Sequence, residues 1–272
     1  MITKLFIITH KNNIYIPNSS VLISINPDNA EKDNIAEKLD YSELRAHYFV
    51  WRNESLETQM VGLFQFRRYL DLTASYFTDF NINKRPVPYQ IKKYPMAIHY
   101  SEIALRNLDN YDVIAPIREY TGIPVWQRYS MAHGHRISDL RLIYKVISEK
   151  YPEYMHAADL YLNGTGEYYG NLYIMRREIY NDYCTWLFSI LNEYDRQASD
   201  IPPRTQGYLA ERIFGIWFTN AVLMKKLRCA EVPRIHFWGY DDEKHKLRYD
   251  KLINFFLPPG SERRAWVRKF KK

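Results

Sequence analysis

Two adjacent arginines stand in Gly62-Leu-Phe-Gln-Phe-Arg-Arg-Tyr69, directly after a short apolar run that reads as a strand. Guanidinium groups hold phosphate oxygens through paired, charge-assisted hydrogen bonds, each worth about 1.5–3 kcal/mol net. In an open α/β sheet, ligands bind beyond the carboxyl ends of the strands, so Arg67 and Arg68 are placed to meet an anionic ligand. Neighbouring side chains on an extended segment point to opposite sides, which leaves a second reading. In that reading one arginine reaches the ligand and the other pairs with a carboxylate. A candidate general base is Glu211, in Arg204-Thr-Gln-Gly-Tyr-Leu-Ala-Glu-Arg212. It lies off the helical stripe of Leu209, Ile213 and Ile216, alongside Tyr208 and Gly215, while Gly207 lets a ligand or backbone approach closely. The plainer account is a salt bridge from Glu211 to Arg204 or Arg212 that fixes the helix.

Other polar residues carry paired readings of the same kind. Glu43 lies on the helix face away from Tyr41, Leu44 and Tyr48, one turn from His47, and either pairs with that histidine or contacts a ligand. Asn171 follows the turn-rich Gly164–Gly170 segment and offers hydrogen bonds to hydroxyl groups. His133 and His135 lie in a polar turn, where they bind hydroxyls or a phosphate or are simply exposed. His10 closes the first strand, where it meets a nucleotide base or ribose or else bonds its own turn. No Asp-x-Asp pair occurs; Asp241-Asp242-Glu243, near His236 and His245, reads as a metal cluster or, with better odds, an exposed charged loop.

These residues need elements to hold them. Leu5–Thr9, Val21–Ile25, Gln59–Phe66, Asp112–Pro116 and Leu172–Met175 read as short strands. Helical spacing predicts helices over residues 34–53, from an N-cap at Ser138, from the fifth strand to Asn192, and over Gln206–Asn220. Residues 79–94 are polar and irregular and read as a loop over the site. Strands interleaved with helices predict an α/β fold with a central, mostly parallel sheet. The division expected is one domain over residues 1–235 and a basic C-terminal extension over 236–272.

The chain has 272 residues, enough for a large core without covalent staples. Its net charge of +7 calls for an anionic partner. Two cysteines, Cys184 and Cys229, fit a reducing compartment and exclude a disulfide framework. The first residues turn polar too soon for a secretory signal, and no run approaches the roughly 18 apolar residues of a spanning helix. A cytoplasmic protein is expected. The closing run Glu262-Arg-Arg-Ala-Trp-Val-Arg-Lys-Phe-Lys-Lys272 either docks on anionic lipid at the cytoplasmic face of the inner membrane or is a solvated tail. Most of the 24 Tyr, 13 Phe and 6 Trp read as core, Tyr183 and Trp186 among them.

Asn34-Ile-x-Glu-Lys38, Tyr41-x-Glu43-Leu-x-Ala46-x-Tyr48-x-x-Trp51-x-Asn53 and Gly62-Leu-x-x-x-Arg-Arg-Tyr69 resemble the domain-of-unknown-function 4422 family. Later blocks agree: Asp112-Val-Ile-x-Pro116, Asp139-Leu140 with Lys150-Tyr-Pro-Glu-Tyr154, Asn171-x-x-Ile-Met175, Tyr183-Cys-x-Trp-Leu-Phe188, and Arg204-x-x-Gly207-Tyr-x-x-Glu211-Arg212. The resemblance covers roughly residues 1–220. It implies a glycosyltransferase of capsule or O-antigen assembly on a GT-A-like nucleotide-binding domain, in some members transferring galactofuranose from UDP. On that reading His10, Glu43, Arg67, Arg68 and Asn171 bind the donor and His135, Asp139 and Arg204 the acceptor. Glu211 is the base, and arginines replace a metal ion as counter-charge to the leaving diphosphate. No cofactor is implied; the partners are a nucleotide sugar and a saccharide acceptor, including one carried on a lipid diphosphate. The family reads His-Tyr where this chain has Gln65-Phe66, which puts the role of that histidine in question.

Two other function classes compete. A carbohydrate- or nucleotide-binding protein with a decayed transferase site would explain Gln65 and Phe66. A nucleic-acid-binding protein would use the basic charge and aromatics as a surface track. Acidic residues in every segment argue against such a track, and no nucleic-acid partner is expected.

Overall fold

A computed structural model describes residues 2–9, 16–17, 19–28, 32–72, 78–79, 91–93, 100, 105–224, 226–237 and 256 of the chain. The first apolar run forms β1 (Thr3–Ile8), which pairs in parallel with β2 (Leu22–Ile25) and with β3 (Met60–Gln65). Gln65 then pairs with Arg68, so the chain turns tightly through Phe66 and Arg67 into β4 (Arg68–Leu70). Two short strands follow, β5 (Thr78–Asp79) and β6 (Ile91–Lys93), and then β7 (Val113–Pro116). A small hairpin-like sheet joins β8 (Glu119–Tyr120) to β9 (Gly166–Glu167). The main sheet is completed by β10 (Tyr173–Arg176), β11 (Cys229–Val232) and β12 (Arg234–Phe237).

Among the described residues the main sheet has ten strands, in the order β5-β11-β7-β10-β3-β4-β12-β6, with β1 and β2 on the free side of β3. It is mixed. β2, β1, β3, β7 and β11 share one direction, and β10 runs against them between β3 and β7. The expectation of a mostly parallel sheet therefore needs correcting at β10, β4 and β5, which run against the other strands. The physical reason lies just upstream: the 168–171 segment delivers the chain to the carboxyl end of β3, and the next strand can only run back.

Side chains alternate across the sheet and build two cores. Leu5, Ile7, Met60, Phe64 and Ile174 point to one face; Phe6, Ile8, Val61, Leu63, Tyr173 and Met175 point to the other. The second face carries the helices α1 (Leu44–Asn53), α2 (Val125–Met131), α3 (Ile137–Lys150), α4 (Met155–Asn163), α5 (Arg177–Gln197) and α6 (Thr205–Leu223). The aromatic excess is spent here: Tyr173, Tyr183, Phe214 and Trp217 pack with ring centroids 4.9–6.4 Å apart. Gly62 is required on the other face, where a Cβ would come within 2.5 Å of Leu5 Cδ2.

Several predicted boundaries move. The helix expected over residues 34–53 is a 3-10 turn, Leu39–Tyr41, followed by α1, because Ser42 takes φ 50° and breaks the run. Arg136, not Ser138, caps α3, and Ser138 sits in its first turn. In the expected loop over 79–94, Ile91–Lys93 is a strand beside β12 and Asp79 belongs to a strand beside β11; residues 80–90 lie outside the described residues. A boundary at 235 falls inside β12. The basic run 262–272 lies outside the described residues, and with it the membrane-docking expectation. Among the described residues no helix is long and apolar enough to cross a membrane.

Candidate active site

A cleft of about 860 Å³ opens at the carboxyl ends of β1 and β3, between the β3–β4 turn, the two-stranded β8–β9 sheet and the first turns of α6. Its lining holds seven arginines (Arg45, Arg67, Arg68, Arg128, Arg204, Arg212 and Arg234) against three glutamates (Glu43, Glu119 and Glu211). The surplus of cations in a concave surface focuses a positive field on whatever enters.

One segment organises the cleft. The Gly170 N–H donates to Glu211 Oε1 at 2.5 Å, and Gln65 Nε2 donates to the Gly170 carbonyl at 2.9 Å. Asn171 Nδ2 donates to Glu43 Oε1 at 2.9 Å and to the Gly207 carbonyl at 3.1 Å. The Tyr169 hydroxyl donates to Glu167 Oε2, and Arg234 Nη1 to the Tyr169 carbonyl at 3.2 Å. Segment 169–171 is thus tied to β3, α1, α6, β9 and β12. Gln65 joins three of these parts, since its Oε1 also accepts from Arg68 Nη1 at 2.9 Å and its Nε2 lies 3.3 Å from Glu43 Oε1.

Three charged groups of the lining are set by burial and by their partners. Arg212 is 2 % exposed and pairs with Glu167, which is fully buried, and with Glu211 Oε2 at 2.6 Å. Burial opposes its charge, but Glu167 and Glu211 outweigh that and hold the guanidinium firmly protonated. Burial likewise pushes the Glu167 carboxyl up, with Arg212 pulling the other way. Glu119 and Arg234 form the second pair. Arg234 is held below the usual arginine range by burial, with the nearby charge of Arg68 adding to the effect against the pull of Glu119. The third group, Glu43, is pushed up by burial; Asn171 lowers it and the charge of Glu211 raises it.

A column of planar groups forms the wall towards α2. The Arg204 guanidinium sits 5.6 Å from the Tyr208 ring centre, Tyr208 4.3 Å from His135, His135 4.4 Å from Tyr129, and Tyr129 5.0 Å from the Arg212 guanidinium. Burial, and then the charges of Arg212 and Arg128, push His135 down to about 3, so its imidazole is neutral at physiological pH. Backbone strain also gathers here: Ser42, Asn171 and Arg204 take φ values of 50°, 48° and 67°. Such conformations cost of order 1–3 kcal/mol each where no glycine relieves them, and they persist where surrounding structure imposes them.

The sequence candidates divide clearly. Arg67, Arg68, Glu43, Glu211, His135 and Arg204 all line the cleft. The β3–β4 turn explains how both adjacent arginines reach it, with Arg67 packed on the Phe66 ring at 4.9 Å. Asn171 stands just behind, holding Glu43. Asp139 does not line the cleft; it is buried in α3 and takes both contacts from Arg136 at 2.9 Å. His10 lies outside the described residues, as do Asp241, Asp242, Glu243 and His245. The pairing of Glu43 with His47 is not made: His47 bonds the Tyr173 hydroxyl instead, and burial pushes it down to about 3. Among the described residues no group of three His, Cys, Asp or Glu could hold a metal ion.

The family model for a domain of unknown function (DUF4422) matches residues 4–222. The chain belongs to the DUF4422 family. No curated protein matches it. Among solved structures, the apo form of the WbbM bifunctional glycosyltransferase is similar, with a TM-score of 0.75 and 23% identity over 88% of this chain. This DUF4422 chain spans 46% of that protein, and the likeness is one of fold. The family match takes in Glu43, Arg68, Asn171 and Glu211 but ends before β11 and β12, so Arg234 reaches the cleft from outside it.

Proposed function

We propose that the cleft binds a UDP-sugar and transfers its sugar, a hexose such as galactofuranose, to a saccharide acceptor in surface-polysaccharide synthesis. The observation that carries this reading is the gathering of Arg67, Arg68 and Arg234 where β3 ends, opposite a wall of aromatic rings and a pair of cleft-lining glutamates. Guanidinium groups there offset the charge that builds on a departing diphosphate, without a bound cation. A bound diphosphate would also relieve the repulsion from Arg68 that adds to burial in depressing Arg234. The parallel strands feeding one crevice support a GT-A-like nucleotide-binding domain, and the similar solved structure is titled a glycosyltransferase. Direct displacement at the anomeric carbon, with inversion, is the mechanism we favour. The basic run at 262–272 supports an acceptor carried on a lipid diphosphate at the cytoplasmic face of the inner membrane.

Thermal-shift and calorimetric titration with UDP, UDP-galactose, UDP-galactofuranose and UDP-glucose test the reading. Wild type is expected to bind UDP, and Arg68→Ala to bind it about 10- to 100-fold more weakly, the loss of one to two charge-assisted hydrogen bonds. Absence of UDP binding by wild type, or equal affinity in the variant, would overturn it.

A further inference from the structure

Of the three cleft glutamates, Glu119 is paired with Arg234; the other two could take a proton from an acceptor, and their surroundings differ in kind. Glu211 has both oxygens engaged: Oε1 accepts from the Gly170 backbone and Oε2 from the Arg212 guanidinium, which Glu167 anchors in turn. Its position fixes segment 169–171 and neutralises a buried cation. Glu43 has neutral amide donors alone: Asn171 at 2.9 Å and Gln65 at 3.3 Å, both on Oε1, and its own backbone N–H. No other described residue donates to the carboxylate, and a Cβ on Gly207 would stand 3.8 Å from Oε2.

From this geometry we infer that Glu43, and not Glu211, is the general base of the transfer, with Gln65 and Asn171 as the residues that position it. The inference rests on the sugar-transfer reading. In the step, the acceptor hydroxyl proton passes to Glu43 Oε2 while the hydroxyl oxygen forms its bond to the anomeric carbon. The bond from that carbon to the diphosphate oxygen breaks, and its electron pair leaves with UDP towards Arg67 and Arg68. The two amides on Oε1 hold the carboxylate plane without adding positive charge, so they orient the base and weaken it less than a guanidinium would. Burial, with the charge of Glu211 as a further push against Arg204, raises Glu43 from the ordinary carboxylate range towards the pH at which a base works best.

The test measures UDP release and product formation from the same UDP-hexoses with an oligosaccharide acceptor panel, alongside UDP titration of each variant. Glu43→Gln should lose about 10²–10⁴-fold in kcat while binding UDP with wild-type affinity. Gln65→Glu places a second carboxylate against Glu43 and should move the acid limb of the kcat profile to higher pH, a shift that simple loosening of the fold would not produce. Glu43→Gln turning over within about threefold of wild type, with UDP bound normally, would sink the base assignment alone. An unmoved acid limb in Gln65→Glu would sink it too, independently of how Glu43→Gln folds. Failure of wild type to bind UDP would overturn the transfer reading and this inference together.

Discussion

Arg212→Met removes the cation that two carboxylates share. The guanidinium is 2 % exposed and Glu167 fully buried, so no water can replace the lost partner. Breaking a buried ion pair from one side costs about 3–5 kcal/mol, most of it the stranded charge, since methionine roughly fills the volume. In a domain of this size that is a fall in melting temperature of about 6–20 °C, read by scanning calorimetry. The sign of the stranded charge can be checked. Glu167 already binds its proton more tightly in the folded chain than an ordinary glutamate does. A group raised in this way stabilises the fold at low pH and loses that contribution as pH rises through its folded value. With Arg212 gone the raise grows, and the deficit of Arg212→Met should shrink between pH 7 and pH 5. Adding Glu167→Gln should recover part of the loss at pH 7, a coupling of about 0.5–3 kcal/mol. A melting temperature within about 2 °C of wild type, or a double variant less stable than Arg212→Met, would refute the reasoning.

Two further outcomes follow from the same charges. On the proposed reading, in which guanidinium groups supply the counter-charge, turnover in excess chelator should stay within about twofold of the untreated protein; activity that collapses and returns with manganese would contradict it. His47, pushed to about 3 in the fold from 6.5, stays neutral while the unfolded chain takes up a proton. Stability should therefore fall as pH drops from 6.5 towards 3, by up to about 1.4 kcal/mol per pH unit from this residue. His47→Gln should flatten that slope in urea unfolding, and an unchanged slope would show the histidine is not the source.

How far the sequence could be read depends on how local the signal was. The strands at Leu5, Val21, Gln59, Asp112 and Leu172 announce themselves by apolar runs, and each is a strand in the fold. Arg67, Arg68 and Glu211 were legible because residue type and strand or helix context coincide within a few positions. The hidden part is everything set by long-range pairing. Gln65 looks like a loss when judged as a missing imidazole, yet its amide joins Glu43, Gly170 and Arg68 across separate elements. Glu119 meets Arg234 only because 115 positions of chain fold back between them. Arg212 did carry a signal, an arginine beside the candidate base, but its burial against Glu167 comes from the long-range pairing of β8 with β9. The basic character of the chain past residue 224 masked β11 and β12, whose apolar runs are only a few residues long.

The strands β11 and β12 are separated by Pro233 alone, yet one pairs with β7 and the other with β4. That bend draws the far side of the sheet round to the β3–β4 turn and sets Arg234 among the cleft arginines. On the ribosome, Arg67 and Arg68 emerge well over a hundred positions before Arg234. The α6 wall of the crevice, with Arg204 and Glu211, also emerges before Arg234, and β11 and β12 then act as a clasp that completes the charge around it.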